Sequence, residues 1–185
     1  MPSGLPFTDV HTGDWFYGAV VYAYENGMMD SIGNNRLSPN GTTTRAMIVT
    51  ILHRQENQPA SSYSTFTDVS AGQWYTIAVA WAVSNGIMDG YGDGRFGPDD
   101  TITREQMAAI LYRYAQLKGY DVSSTGDLSG YTDAAQVSEW ARTAIGAANA
   151  QGLITGNTAT PLNPTGSATR AEVATILMHF LENVA

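Results

Sequence analysis

Phe66-Thr67-Asp68-Val69, then Trp74, Gly86, the run Gly90-Tyr91-Gly92-Asp93-Gly94-Arg95-Phe96-Gly97-Pro98 and finally Thr103-Arg104 is the stretch that decides the fold, because the chain carries it three times. Upstream, the same landmarks are Phe7-Thr8-Asp9-Val10, Trp15, Gly27, Pro39 and Thr44-Arg45. Downstream they are Tyr131-Thr132-Asp133-Ala134, Trp140, Gly152, Pro164 and Thr169-Arg170. The interval from Asp to Trp is 6, 6 and 7 residues, and from Asp to Arg it is 36, 36 and 37. Five landmarks in one order at near-constant intervals define an internal repeat, and the repeat governs every later inference about the fold. Copies are expected over 7–57, 66–118 and 131–183. They are joined by linkers 58–65 and 119–130, which are rich in Ser, Thr, Gly and Ala.

Within a copy the pattern reads helix, loop, helix. Trp15, Ala19, Tyr22, Ala23 and Asn26 recur at spacings of three and four, with Gly27 where a left-handed C-terminal cap belongs. The counterpart helices should start near Trp74 and Trp140. Glycine and proline throughout 90–98 exclude a helix there and predict a turn-rich loop. A second helix starts at each Thr-Arg pair. Its apolar face is Met107, Ile110, Leu111 and Tyr114 in copy two and Val173, Ile176, Leu177 and Phe180 in copy three. Units of this size cannot bury such faces alone, so the expectation is an all-α, mainly helical domain with Gly/Pro-rich loops. Its three long helices should pack together as a pseudo-threefold bundle with grooves between copies.

Composition narrows the function. The 185 residues carry a net charge of -8 with Lys118 as the single lysine, so the long-range field repels nucleic acid and acidic membranes. No apolar run reaches the length of a membrane span, and Met1-Pro2-Ser3-Gly4 lacks the features of a secretion signal; the chain reads as an excised fragment whose export signal lies outside it. The absence of cysteine removes disulfides and thiolate metal sites. His11, His53 and His179 are scattered over unrelated repeat positions and suggest neither a zinc site nor a nucleophile–base pair, so catalysis is not expected. Asp89, Asp93, Gly94 and Asp100 touch a calcium-loop template, but Tyr91 stands at a ligand position and the other copies do not keep the set. No cofactor or metal is expected.

Thr44, Thr103 and Thr169 read as helix N-caps. Gln106 and Glu172 complete capping boxes, which copy one loses with Met47. An arginine directly after the cap opposes the helix dipole at a cost of roughly 0.3–1 kcal/mol. Arg45, Arg104 and Arg170 therefore answer to something other than local stability. They could converge with the free first-turn amides on an anion, preferably a carboxylate, or they could clamp one repeat to the next through the Phe-Thr-Asp carboxylates. Trp15, Trp74 and Trp140 could stack on sugar rings, although core packing is the expectation for most of them. Asp9, Asp68 and Asp133 are expected to cap turns more than to touch ligand.

Phe-Thr-Asp-Val, Trp, the Asn85-to-Pro98 run and Thr-Arg-Ala-Glu or its variants together resemble the S-layer homology domain, over residues 7 to 183. The resemblance implies a three-pronged spindle around a central three-helix bundle. It also implies a non-catalytic module on the bacterial cell surface that anchors its protein to secondary cell-wall polysaccharide, commonly through pyruvylated N-acetylmannosamine. On that reading the ligand-binding candidates are Arg45, Arg104 and Arg170, with Thr44, Thr103, Thr169, Trp15, Trp74, Trp140, Asp9, Asp68, Asp133, Gly27, Gly86 and Gly152. Copy two keeps the pattern best. Copy one has Ser31-Ile32 for Gly-Tyr, and copy three has Thr155 for Asp and Asn157-Thr158-Ala159-Thr160 for the Gly-rich turn. Among the three, the groove using Arg104 is expected to be the most reliable. The alternative function is a protein–protein interaction module using the same grooves.

Overall fold

The computed structural model describes residues 4–62, 65–155 and 161–185; the start at 1–3 and the Asn157–Thr160 replacement lie outside them. Each copy supplies a short and a long helix: α1 Tyr17–Glu25 and α2 Arg45–Gln55, α3 Thr76–Ser84 and α4 Arg104–Lys118, α5 Arg142–Ala150 and α6 Arg170–Asn183. Two 3-10 turns, Ala134–Gln136 and Glu139–Ala141, lead into α5. No strand occurs among the described residues, so the fold is all-α.

The caps explain where the long helices begin. Thr44, Thr103 and Thr169 hold extended backbone, and their hydroxyls accept from the amides of Met47, Gln106 and Glu172. The reciprocal bonds come from Gln106 and Glu172, which accept from the threonine amides at 3.0 and 2.9 Å. Copy one does not lose its capping box as expected. The Met47 thioether accepts from the Thr44 amide at 3.5 Å, a long bond that suits a large, soft sulfur. The short helices start two residues later than the tryptophans suggested and end on Gly27, Gly86 and Gly152, whose φ values of 67°, 67° and 72° are the left-handed caps the sequence called for.

Helix pairing follows residue size. The close pairs are α2 with α3, α4 with α5 and α6 with α1, so each long helix lies against the short helix of the following copy and the third copy closes onto the first. Alanines make this possible: Ala19 and Ala23, Ala78 and Ala82, Ala144 and Ala148 are buried on the short helices and let backbones approach. The long helices, expected to pack on one another, instead meet through bulky side chains, as where Tyr114 of α4 and Phe180 of α6 stand 5.9 Å apart, ring centre to ring centre. Their large inward residues keep the backbones from pairing closely.

A second ring closes just before the long helices. The Thr43 amide donates to Ala168 O, Ala168 to Ile102 O and Ile102 to Thr43 O, at 3.2, 3.0 and 2.8 Å. These three residues hold equivalent positions in the repeat and are fully buried or nearly so, which places them at the centre where the copies meet.

Candidate functional site

The Thr-Arg helix starts sit on the seams between copies. Arg45 reaches into copy two, where its Nε donates to Phe96 O at 2.9 Å and its Nη2 to Asp89 O at 2.7 Å. Arg170 does the same in copy one, donating to Leu37 O and Asp30 O at 2.6 and 3.0 Å, and Arg104 Nε donates to Leu162 O of copy three at 2.8 Å. The Phe-Thr-Asp carboxylates hold the other side of the same residues. Asp9 accepts from the amides of Leu37 and Ser38, Asp68 from Phe96 and Gly97, and Asp133 from Leu162 and Asn163. Each clamp thus runs Asp–amide, carbonyl–Arg, through one buried residue, rather than as the direct Arg–Asp pair considered from the sequence.

That arrangement corrects the expected anion site at the helix mouths. The first two amides of each long helix are already taken by carbonyls of the following copy: Arg45 and Ala46 by Asp100 and Pro98, Arg104 and Glu105 by Gly166 and Pro164, Arg170 and Ala171 by Gly41 and Pro39. The third amide goes to the threonine cap. No free donors of the first turn remain for an anion. Arg45 and Arg170 are 6% and 8% exposed, and burial first of all pulls both guanidinium pKa values down from the ordinary range, against nearby carboxylates that push the other way. Arginine stays charged throughout. Arg45 also lies 4.7 Å from the centre of the Tyr91 ring and 4.9 Å from that of Phe96.

Three clefts open beside the seams, and each draws on all three copies. The first, about 430 Å³, is lined by Arg170, the loop Met28 to Ile32, the α2 residues Met47, Thr50, Ile51 and Arg54, and Trp74. The second, about 240 Å³, is lined by Arg45, Met88 to Tyr91, the α4 residues Gln106, Ala109, Ile110 and Arg113, and Trp140. The third, about 350 Å³, is lined by Arg104, Gly152, Leu153, Thr155, the α6 residues Glu172, Thr175, Ile176 and His179, and Trp15. These volumes are near the lower end for small-molecule sites.

The tryptophans overturn the core-packing expectation. Trp15, Trp74 and Trp140 are 70%, 59% and 57% exposed, because the residue after each of them, Phe16, Tyr75 or Ala141, fills the interior instead. Trp15 and Trp74 lean edge-on against that neighbour, with ring centres 5.3 and 5.0 Å apart. Their open faces border the clefts. Among the sequence candidates, the clefts bring together the three arginines, the three tryptophans and Gly152. The threonines serve as caps, the aspartates hold loops, and Gly27 and Gly86 end helices.

Sequence reasoning missed the cleft walls. Met47, Thr50, Ile51 and Arg54 form an i, i+3, i+4, i+7 stripe, repeated as Gln106, Ala109, Ile110, Arg113 and as Glu172, Thr175, Ile176, His179. The last member follows the seam arginine by 9 residues. At 100° per residue that is half a turn out of phase, so each long helix presents its first arginine to the next copy's cleft and a second basic residue, Arg54, Arg113 or His179, to its own. Arg54 and Arg113 are exposed, in contrast to the seam arginines. The calcium template gathers nothing here: Asp93 pairs with Arg95 at 2.9 Å, Asp100 accepts from the Tyr91 hydroxyl at 2.6 Å, and among the described residues no three potential ligands cluster.

The S-layer homology domain profile matches residues 6–46, 65–108 and 130–174, one match per copy. The chain belongs to the S-layer homology domain family. It is 34% identical over 169 residues to the surface-layer 125 kDa protein of Lysinibacillus sphaericus, covering 90% of this chain and 14% of that protein. It is 38% identical over 155 residues to the cellulosome-anchoring protein of Acetivibrio thermocellus, covering 78% and 33%. Similarity to the amylopullulanase of Thermoanaerobacterium thermosulfurigenes, 33% over 179 residues, spans 95% of this chain but only 9% of the enzyme. The chain therefore spans a small part of the relatives it matches. What it shares with enzymes and surface-layer proteins alike is a non-catalytic S-layer homology module that anchors proteins at the cell surface. Among the described residues no helix is long and apolar enough to cross a membrane.

Proposed function

We propose that this S-layer homology domain holds its parent protein on the bacterial wall by binding an acidic secondary cell-wall polysaccharide in the clefts between copies. The acidic group is a pyruvate ketal, carried on N-acetylmannosamine. The observation that carries this reading is that, in the first two clefts, an exposed tryptophan and an exposed arginine line the same cleft, Trp74 with Arg54 and Trp140 with Arg113. An indole suits the apolar face of a pyranose, and a guanidinium suits a lone carboxylate bidentately. In a chain of net charge -8, such local cations are what an anionic polymer needs. The protein attached to the anchor is whatever the longer chain carries, as in the relatives named above.

Sedimentation with purified cell-wall sacculi tests it. The domain should pellet with untreated sacculi and stay in solution after acid extraction has removed the wall polysaccharide. Arg113→Ala should weaken the pelleting by about tenfold, as a charged hydrogen bond is worth about 1.5–3 kcal/mol. Undiminished binding to extracted sacculi would point to peptidoglycan or protein and end the carbohydrate reading.

A further inference from the structure

We infer that the three clefts divide the polymer between them: the first and second take the carboxylate-bearing sugar, and the third takes an uncharged one. This rests on the carbohydrate reading above and adds a specificity to each cleft.

Substitutions at three equivalent positions change the charge of the third cleft: two make it more negative and the third removes an aspartate, so that the balance still falls from one surplus cation in the first two clefts to none. Where the first two walls end in Arg54 and Arg113, the third ends in His179. Where the first two have Met47 and Gln106 at the start of the stripe, the third has Glu172. The loop aspartates Asp30 and Asp89 are replaced by Thr155. The first two clefts each present two guanidiniums against one aspartate, whereas the third presents one guanidinium that already has a carboxylate beside it. Arg104 Nη1 lies 3.6 Å from Glu172 Oε1. The corresponding neighbour of Arg170 Nη1 is the uncharged Met47 sulfur at 3.8 Å, and Arg45 is faced by the rings of Tyr91 and Phe96. An incoming anion would therefore meet an exposed guanidinium, Arg54 or Arg113, in two clefts, and in the third a neutral ring and a carboxylate.

The third cleft is not simply empty of chemistry. His179 Nδ1 lies 3.2 Å from Gly152 O, a contact that requires the proton on Nδ1 and leaves Nε2 an acceptor in the neutral ring. Together with Glu172 and the Thr175 hydroxyl, the wall offers acceptors, which match the hydroxyl donors of an unmodified sugar beneath the open face of Trp15.

Each cleft contains one tryptophan, and the fourth, Trp81, is buried, so indole N–H resonances assigned with Trp→Phe variants report occupancy cleft by cleft. Two probes are used: the methyl glycoside of pyruvylated N-acetylmannosamine and the same glycoside without the ketal. The pyruvylated probe should shift Trp74 and Trp140 and bind at Trp15 at least ten times more weakly, with a calorimetric stoichiometry of two. The unmodified probe should shift Trp15. The double variant Glu172→Gln, His179→Arg gives the third cleft the two wall residues Gln106 and Arg113 of the second, and a Gln at that position keeps the capping box, as Gln106 does. It should raise the stoichiometry to three. Equal affinity of the pyruvylated probe for all three clefts of the natural chain overturns the inference while leaving the carbohydrate reading standing. Failure of the unmodified probe to shift Trp15 overturns the uncharged-sugar assignment. If neither probe moves any indole, the carbohydrate reading falls and the division falls with it.

Discussion

The two ends of one sequence motif behave as opposites in the folded chain. At the start of each long helix the arginine is buried on carbonyls of the next copy, while 9 residues on, a second basic side chain stands on an open cleft wall. The first is the feature that identifies the repeat. Its job is to fasten the copies into a ring, since a single copy cannot cover its own apolar face and the last must find the first. The second is quieter in sequence and lines the cleft proposed above to hold the ligand. The lesson is that the most regular residue in a repeat marks the contact that every copy must make, and variable residues in register with it mark what the clefts can distinguish.

Removing a seam arginine should therefore produce the largest effect and appear in stability first. Arg45→Ala leaves Phe96 O and Asp89 O without their donor and opens the space beneath the Tyr91 ring. A loss of roughly 2–5 kcal/mol is expected, read from the urea midpoint, because a buried carbonyl and a partly buried one each lose a charged hydrogen bond. Arg54→Ala, on the exposed wall, should leave the midpoint within about 0.5 kcal/mol. If the two variants unfold at the same urea concentration, the division between seam and wall is wrong.

The seam also carries a pH signature. For Asp9 and Asp68, burial pushes the carboxyls up, but the amides of Leu37 and Ser38, or of Phe96 and Gly97, more than offset it, so both sit below the usual aspartate range. A depressed folded pKa gives stability that is complete above the unfolded value of about 3.9 and is lost as pH falls through the folded one. Asp68→Asn should cost roughly 1–3 kcal/mol at neutral pH. The gap to the natural chain should close as melting is followed from about pH 4 downwards. A gap that stays constant would mean that charge on Asp68 contributes nothing to the loop.

Much of this was legible in the residues, for stated reasons. Glycine caps, threonine caps and the repeat period are local facts, set by φ preference and by first-turn amides, and Gly27, Gly86, Thr103 and Thr169 all appear in those roles. The Met47 box was not legible because the rule asks for an oxygen acceptor, and sulfur served. The tryptophans misled because size and hydrophobicity argue for burial, whereas the interior space was filled by the adjacent residue. The helix-mouth anion site failed for a non-local reason: whether first-turn amides are free depends on which chain segment lies across them, and periodicity within one helix says nothing of that. The stripe ending in Arg54, Arg113 and His179 was visible at the right spacing, but only the packing direction shows that it faces a cleft.

The smallest expected effect probes the centre of the ring. Thr43, Ile102 and Ala168 occupy equivalent buried positions and exchange backbone bonds in a closed circuit, yet only copy one places a hydroxyl there, and Thr43 Oγ1 has no hydrogen-bond partner among the described residues. A buried hydroxyl without a partner has lost its water and regained nothing. Thr43→Val keeps the branched shape, leaves the backbone circuit untouched and brings the site closer to its Ile102 counterpart. Stability should rise by about 1 kcal/mol, seen as a higher urea midpoint, with sacculus binding unchanged because the residue lies on no cleft wall. A fall in the midpoint would mean that the hydroxyl is satisfied, and the pseudo-equivalence of the three positions would then be one of backbone alone.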